Sequence, residues 1–225
     1  MNSEKSLNIK YFCILGERCS GTNFLEEALL QNFNLNIHSY QINKHFFGYN
    51  KFPDDTSNIL FIGLIRHPFT WINSLYKYPY YIQKDIRGNK AKFLNNEFWS
   101  QNNNYEIIED RNIYTNKRYE NIFDLRKTKL KYLYDDMPKL VDNYLLIKYE
   151  DLRDDYITTL NRLKNNYNFQ IKPNYPINIT QYKGRGKPKR DTFSIDTEYI
   201  FSKEEILLHK DFDKTYEKKL GYYLL

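Results

Sequence analysis

The residues best suited to chemistry stand together near the start of the chain, in Gly16-Glu17-Arg18-Cys19-Ser20-Gly21-Thr22-Asn23. The two glycines have the spacing of a phosphate-binding loop. Successive backbone N–H groups in such a loop, and the positive end of the helix after it, make an anion site. The two side chains that would commit the loop to a nucleoside triphosphate are missing. Thr22 stands where a lysine would reach the outer phosphates, and Asn23 replaces the hydroxyl that would ligate magnesium. What remains suits a single 5′-phosphate bearing a sulfate, held by residues 18–23, with Arg18 adding positive charge near the transferring group.

A loop of this kind needs a strand before it and a helix after it, and the pattern supplies both. Tyr11 to Leu15 is a short apolar run that reads as a buried strand. Phe24, Leu25, Ala28, Leu29 and Phe33 then recur at helical spacing. A second run, Ile59 to Ile65, ends at Arg66, and Pro68 follows where a first helical turn begins. A third strand is expected at residues 144–147, and a short one at residues 35–38. Helices are expected near residues 119–134 and 203–220. Strands alternating with helices predict an α/β fold, a P-loop-type parallel sheet flanked by helices. Ligands bind such sheets at the carboxyl ends of the strands, where the loops after Leu15 and Ile65 both lie. One domain spanning residues 1–225 is expected, with residues 78–121 as a substrate-covering insertion and residues 167–190 as a cofactor-closing loop.

These motifs resemble the P-loop sulfotransferase family. Its first signature, a strand, a loop containing Arg or Lys and Ser-Gly-Thr, then a helix, is matched by residues 12–25. Its second, a strand ending in Arg with Pro soon after and Ser one to two turns later, is matched from Ile62 through Arg66 and Pro68 to Ser74. The resemblance implies that the first motif holds the 5′-phosphosulfate of 3′-phosphoadenosine 5′-phosphosulfate (PAPS). It implies that Arg66 and Ser74 hold the 3′-phosphate, a group ATP lacks. Arginine is suited to this, since it offers a planar fork of donors. Residues 146–152 look like the strand and turn that follow in the family. Lys183-Gly184-Arg185 looks like the loop that closes over the cofactor in carbohydrate sulfotransferases. The implied activity is transfer of a sulfuryl group from PAPS to a hydroxyl or amine acceptor, a carbohydrate among the candidates, releasing the 3′,5′-bisphosphate PAP.

Such a transfer needs a proton acceptor, which the family takes from His or Glu near the first or second strand. His45 is the first choice, because an imidazole ordinarily titrates near neutral pH. Lys44 would stabilise the departing phosphate, and Glu17 is the rival base. The scheme needs no metal, and His38 and His45 are too isolated to read as a metal site.

Composition bounds the alternatives. The 225 residues carry 34 Lys and Arg against 28 Asp and Glu, a net charge of +6 that suits an anionic ligand and equally weak nonspecific binding to nucleic acid or membrane surfaces. Being dispersed apart from the run Lys183 to Arg190, it reads as ordinary solubility before a nucleic-acid footprint. Compositional bias explains many of the 22 tyrosines individually. Two cysteines imply no disulfide framework, and no apolar run approaches the ~20 residues of a membrane span. A reducing cytoplasm, with no nucleic-acid or membrane partner, is therefore expected. The rival classes are a P-loop nucleotide kinase or NTPase, which Thr22 and Asn23 oppose, and a non-catalytic basic protein that binds nucleic acid or acidic glycan through residues 183–190.

Overall fold

A computed structural model describes residues 8–39, 44–49, 51–179 and 198–223. Lys183, Gly184, Arg185 and the rest of residues 180–190 of the expected cofactor-closing loop lie outside the described residues. In chain order come β1 (Tyr11–Leu15), α1 (Thr22–Asn32), β2 (Asn36–Ile37), β3 (Ile59–Ile65) and α2 (Pro68–Lys77). Then follow α3 (Lys90–Asn95), β4 (Gln101–Asn102), β5 (Tyr105–Glu106), α4 (Ile122–Lys131) and α5 (Met137–Leu140). β6 (Tyr144–Lys148), α6 (Tyr149–Asp154), α7 (Tyr156–Tyr167), α8 (Lys203–Leu207) and α9 (Lys214–Lys219) complete the described chain.

The architecture is α/β. Four strands form a parallel sheet in the order β2-β1-β3-β6, with Tyr11 opposite Ile59 and Phe61 opposite Tyr144. Successive side chains of a strand point to opposite faces, so a strand covered on both sides reads as a continuous apolar run. Phe12, Ile14, Leu60, Ile62 and Leu64 meet Leu25 and Leu29 of α1 and Leu160 and Leu163 of α7 on one face. Cys13, Leu15, Phe61 and Ile65 meet Leu130, Leu133, Met137 and Leu220 on the other. From β1 the chain passes to β2 on one side, then returns to β3 on the other. The crevice between the carboxyl ends of β1 and β3 is therefore a topological switch point, the usual ligand position in sheets of this kind.

Residues 78–121, polar and irregular to the eye, are folded. They carry α3, the small antiparallel pair β4–β5 and two 3-10 turns. Ile82, Ile86, Phe93, Phe98 and Tyr119 join a third core with Trp71, Ile72 and Leu75 of α2 and Phe201 and Ile206 near the C-terminus. Burial at about 1.5–3 kcal/mol per large apolar side chain holds this region in place. Two helix expectations are revised. α4 starts at Ile122, where Asn121 Oδ1 accepts from the amides of Phe123 and Asp124, and it passes into a π turn at Tyr132–Asp136. The expected terminal helix is two short ones, α8 with a Ser202–Glu205 capping box and α9 capped by Asp213, because each capping side chain starts a helix of its own. Among the described residues no helix is long and apolar enough to cross a membrane.

Candidate functional site

In the loop between β1 and α1, five carbonyls have donors. Gly16 O accepts from His45 Nδ1–H at 2.7 Å, and Glu17 O from the amide and hydroxyl of Ser20. Arg18 O accepts from Trp71 Nε1–H at 2.8 Å, Cys19 O from Arg66 Nη1 at 3.0 Å, and Gly21 O from the amide of Leu25. That arrangement frees the start of α1 to face an anion: the first N–H groups of a helix have no intrahelical acceptor, and no side chain caps these. Gly21 is required for it. Its φ is 94°, and a Cβ there would stand 2.3 Å from the Tyr149 ring. Cys19 adopts φ 62°, an uncommon value for a residue with a side chain, at the crown of the loop.

α2 and the end of β3 clasp that crown. Besides bonding Cys19 O, the Arg66 guanidinium donates to Thr70 Oγ1 at 3.2 Å and lies 4.9 Å over the Tyr149 ring. The buried Ser74 hydroxyl reaches Cys19 Sγ. Burial pushes the Cys19 thiol up to about 11, and the Ser74 bond and the Arg66 charge oppose this only in part. The fold thus brings Arg66, Ser74 and Cys19 into one corner. His67 caps α2, accepting the amide of Phe69 at Nδ1. Tyr149, which packs on both Gly21 and Arg66, lies within the strand-and-turn match at residues 146–152 but has no role assigned to it from sequence. Nothing local marks Trp71 as a donor to the loop, since aromatic residues are frequent throughout this chain.

Arg18 departs from expectation. It is 2% exposed, and its guanidinium points away from the loop mouth, toward residues 78–121. Nε bonds Glu17 Oε1 at 2.6 Å, Nη1 donates to Ser100 Oγ at 2.7 Å and Tyr80 O at 3.3 Å, and Nη2 pairs with Asp110 Oδ2 at 3.2 Å. Asp110 also accepts from Ser100 and pairs with Lys129 Nζ at 2.6 Å, and Lys129 donates to the backbone carbonyl of His45. Two acids and two bases form a buried, charge-balanced cluster, which commits Arg18 to interior partners rather than to a transferring group. Burying one of these charges alone would be costly, which is why the partners come in opposite pairs. Ser20 likewise turns its hydroxyl to Glu17 O, and the buried Thr22 packs a methyl under Gly16. The loop offers its backbone rather than these side chains.

Lys44 and Asn23 are brought together: Lys44 Nζ lies 2.5 Å from Asn23 Oδ1 and 3.3 Å from Glu26 Oε2, beside the first turn of α1. Lys44 and Arg66 therefore bring positive charge to the loop from separate segments, one at the start of α1 and one at the crown. Glu17 holds the Arg18 amide and Nε on Oε1, while its buried Oε2 has no hydrogen-bond partner among the described residues. Glu17 lines a cavity of about 20 Å³ with Ser20, Arg66, Trp71, Arg126 and Lys129.

His45 is half-buried, and its protonation differs from the sequence expectation. Burial, with the Lys44 and Arg18 charges added, pushes its pKa down to about 3, against the opposing bond to Gly16 O. The ring is neutral near pH 7. Donation from Nδ1 to a carbonyl leaves Nε2 as the acceptor nitrogen. A consequence for stability follows. Between its ordinary value of 6.5 and about 3 the unfolded chain binds a proton at His45 that the folded chain excludes. Stability should therefore fall as pH drops through that window, with a slope approaching ~1.4 kcal/mol per pH unit from this group. Urea unfolding of wild type and His45→Gln between pH 6.5 and 4.5 checks this: the difference in unfolding free energy should shrink or reverse toward low pH. A difference constant with pH would show that His45 titrates normally.

No family model matches the chain, and no curated protein matches it in sequence. What the site does must be argued from its own geometry.

Proposed function

We propose that the protein is a P-loop-type sulfotransferase that moves a sulfuryl group from PAPS to an acceptor hydroxyl or amine. The observation that carries this reading is the placement of Arg66 on the crown of an anion loop that lacks the lysine and hydroxyl of a triphosphate site. A loop so equipped suits a ligand with two separate anionic ends. The amides at the start of α1, with Lys44 beside them, suit the 5′-phosphosulfate. Arg66 and Ser74, at the corner beyond Cys19, suit the 3′-phosphate. In the transfer, the acceptor oxygen or nitrogen forms its bond to sulfur as the bond from sulfur to the 5′-phosphate oxygen breaks. The acceptor proton passes to a protein group, and PAP departs. His45 Nε2 and Glu17 Oε2 are the two atoms available for that proton. Positioning and fixed charge carry most of such a reaction, by analogy with phosphoryl transfer.

Calorimetry in magnesium-free buffer tests the reading, with PAP, ATP and adenosine 5′-phosphate as ligands. PAP should bind at least ~100-fold more tightly than ATP, in keeping with several added charge-assisted hydrogen bonds to the 3′-phosphate. Folded protein that does not bind PAP would end the proposal. Magnesium-dependent ATP binding would favour a kinase or NTPase, and salt-sensitive binding of DNA without regard to sequence would favour a basic binding protein.

A further inference from the structure

The pairing of β3 with β6 ends at Ile65 opposite Lys148, and the peptide unit joining Arg66 to His67 finds its partners outside the sheet. It is held at both ends. Its carbonyl, Arg66 O, accepts from Arg126 Nη2 of α4 at 2.9 Å. Its N–H, on His67, donates to Glu150 Oε1 of α6 at 3.0 Å. A cation thus meets the negative end of one peptide dipole, and a carboxylate meets the positive end. Both side chains are backed by the segment from α9 to Tyr222. Glu217 of α9, 1% exposed, binds Arg126 through both carboxylate oxygens, and the Tyr222 hydroxyl donates to Glu150 Oε2 at 3.1 Å. The Tyr222 ring also meets His67 edge-on at 5.3 Å. On its other side the Arg126 guanidinium lies 5.0 Å from the Trp71 ring, whose Nε1–H holds Arg18 O.

The hydrogen bonding of one peptide does not require two charged side chains, since neutral groups or water would satisfy it. What the pair adds is a fixed plane. The plane of the 66–67 peptide sets ψ of Arg66, and with it the direction in which the Arg66 side chain leaves the backbone. That side chain crosses to the loop, with Nε on Thr70 Oγ1 and Nη1 on Cys19 O. A long side chain loses rotamer freedom when it grips an anion, and a base that does not move limits that cost. Arg126 is 6% exposed and its charge is matched by Glu217, so it is committed inside the fold.

We propose that Arg126 and Glu150 are positioning residues for Arg66: they clamp the 66–67 peptide, and Glu217 and Tyr222 hold the clamp from behind. Its consequence for a 3′-phosphate rests on the transfer reading above; the clamp itself does not. Replacing Arg126 would leave Glu217 buried without its cation and endanger the fold, so the test turns on the half-buried Glu150. Glu150→Ala removes the acceptor from the His67 amide, Glu150→Gln keeps one at Oε1, and Tyr222→Phe removes only the backing hydroxyl. The first readout is ligand-free: NMR exchange of the Arg66 Nε–H with solvent, assigned by its loss in Arg66→Lys. Exchange should quicken about tenfold or more in Glu150→Ala, by less in Tyr222→Phe, and stay within about threefold of wild type in Glu150→Gln. The second is calorimetry with PAP and adenosine 5′-phosphate. Glu150→Ala should weaken PAP about tenfold and adenosine 5′-phosphate less than about threefold. With Arg66→Ala already present, Glu150→Ala should weaken PAP no more than about twofold further, because its effect runs through Arg66. Unchanged exchange in Glu150→Ala, equal changes in Glu150→Gln and Glu150→Ala, or an undiminished PAP loss without Arg66 would overturn the clamp. Quickened exchange in a folded protein that ignores PAP would support the clamp while removing the transfer reading.

Discussion

Asp110→Ala is expected to cost the protein about 3–5 kcal/mol of stability, the range for removing one partner from a buried ion pair. Asp110 is 1% exposed and faces both Arg18 and Lys129, so its loss leaves two buried cations with Glu17 as their only buried counter-charge. Asp110→Asn keeps the shape and removes the charge, and it should recover only part of the loss. Lys127→Ala is the contrast. Its pair with Asp213 is half-exposed, and breaking it should cost no more than ~1 kcal/mol. Denaturant unfolding measures all three. A loss under ~1 kcal/mol for Asp110→Ala would mean that the cluster does not exist as described. If it does exist, the same change should loosen the loop, because Arg18 supplies both a partner of Asp110 and the carbonyl that Trp71 holds.

The second large effect is expected at Arg66. Arg66→Ala should weaken PAP by more than the ~1.5–3 kcal/mol of one hydrogen bond to a charged group, that is, by more than about 200-fold. Adenosine 5′-phosphate should lose far less. Its loss should not be zero, since Arg66 also bonds Cys19 O and steadies the crown of the loop. That baseline makes the comparison between the two ligands the informative quantity. Equal losses would sink the 3′-phosphate assignment and leave Arg66 as a structural clasp. Arg66→Lys separates the roles further: it keeps the charge, loses the planar fork, and should recover little selectivity.

The buried cluster gives residues 78–121 a part in the loop itself. Ser100 and Asp110 come from that region, Lys129 from α4, and Glu17 and Arg18 from the loop. His45 is drawn in twice, through its carbonyl to Lys129 and through Nδ1 to Gly16 O. Changes in residues 78–121 can therefore reach the β1–α1 loop through a short chain of buried polar contacts. Tyr80 O accepts from Arg18 in the same cluster, and the neighbouring Tyr81 ring meets Phe46 edge-on.

The sheet was legible from sequence because its signal is local. β1 and β3 are short apolar runs, and the expected bounds of both agree with the structure. The glycine spacing placed the loop between strand and helix. Local pattern also sufficed for Pro68 opening α2. It did not suffice for Arg18. A basic residue in a phosphate loop reads as an anion ligand, yet its partners Ser100 and Asp110 stand 82 and 92 residues away. Nothing in a polar stretch distinguishes the aspartate that will be buried from those that will be solvated. His45 shows the same limit in another form, since its residue type suggests a neutral-pH base while burial and two neighbouring cations decide its protonation. Residue type and spacing determined which groups were available. Only the tertiary structure decided which way each side chain faces and what charge it meets there, because burial and long-range pairing are properties of the folded chain.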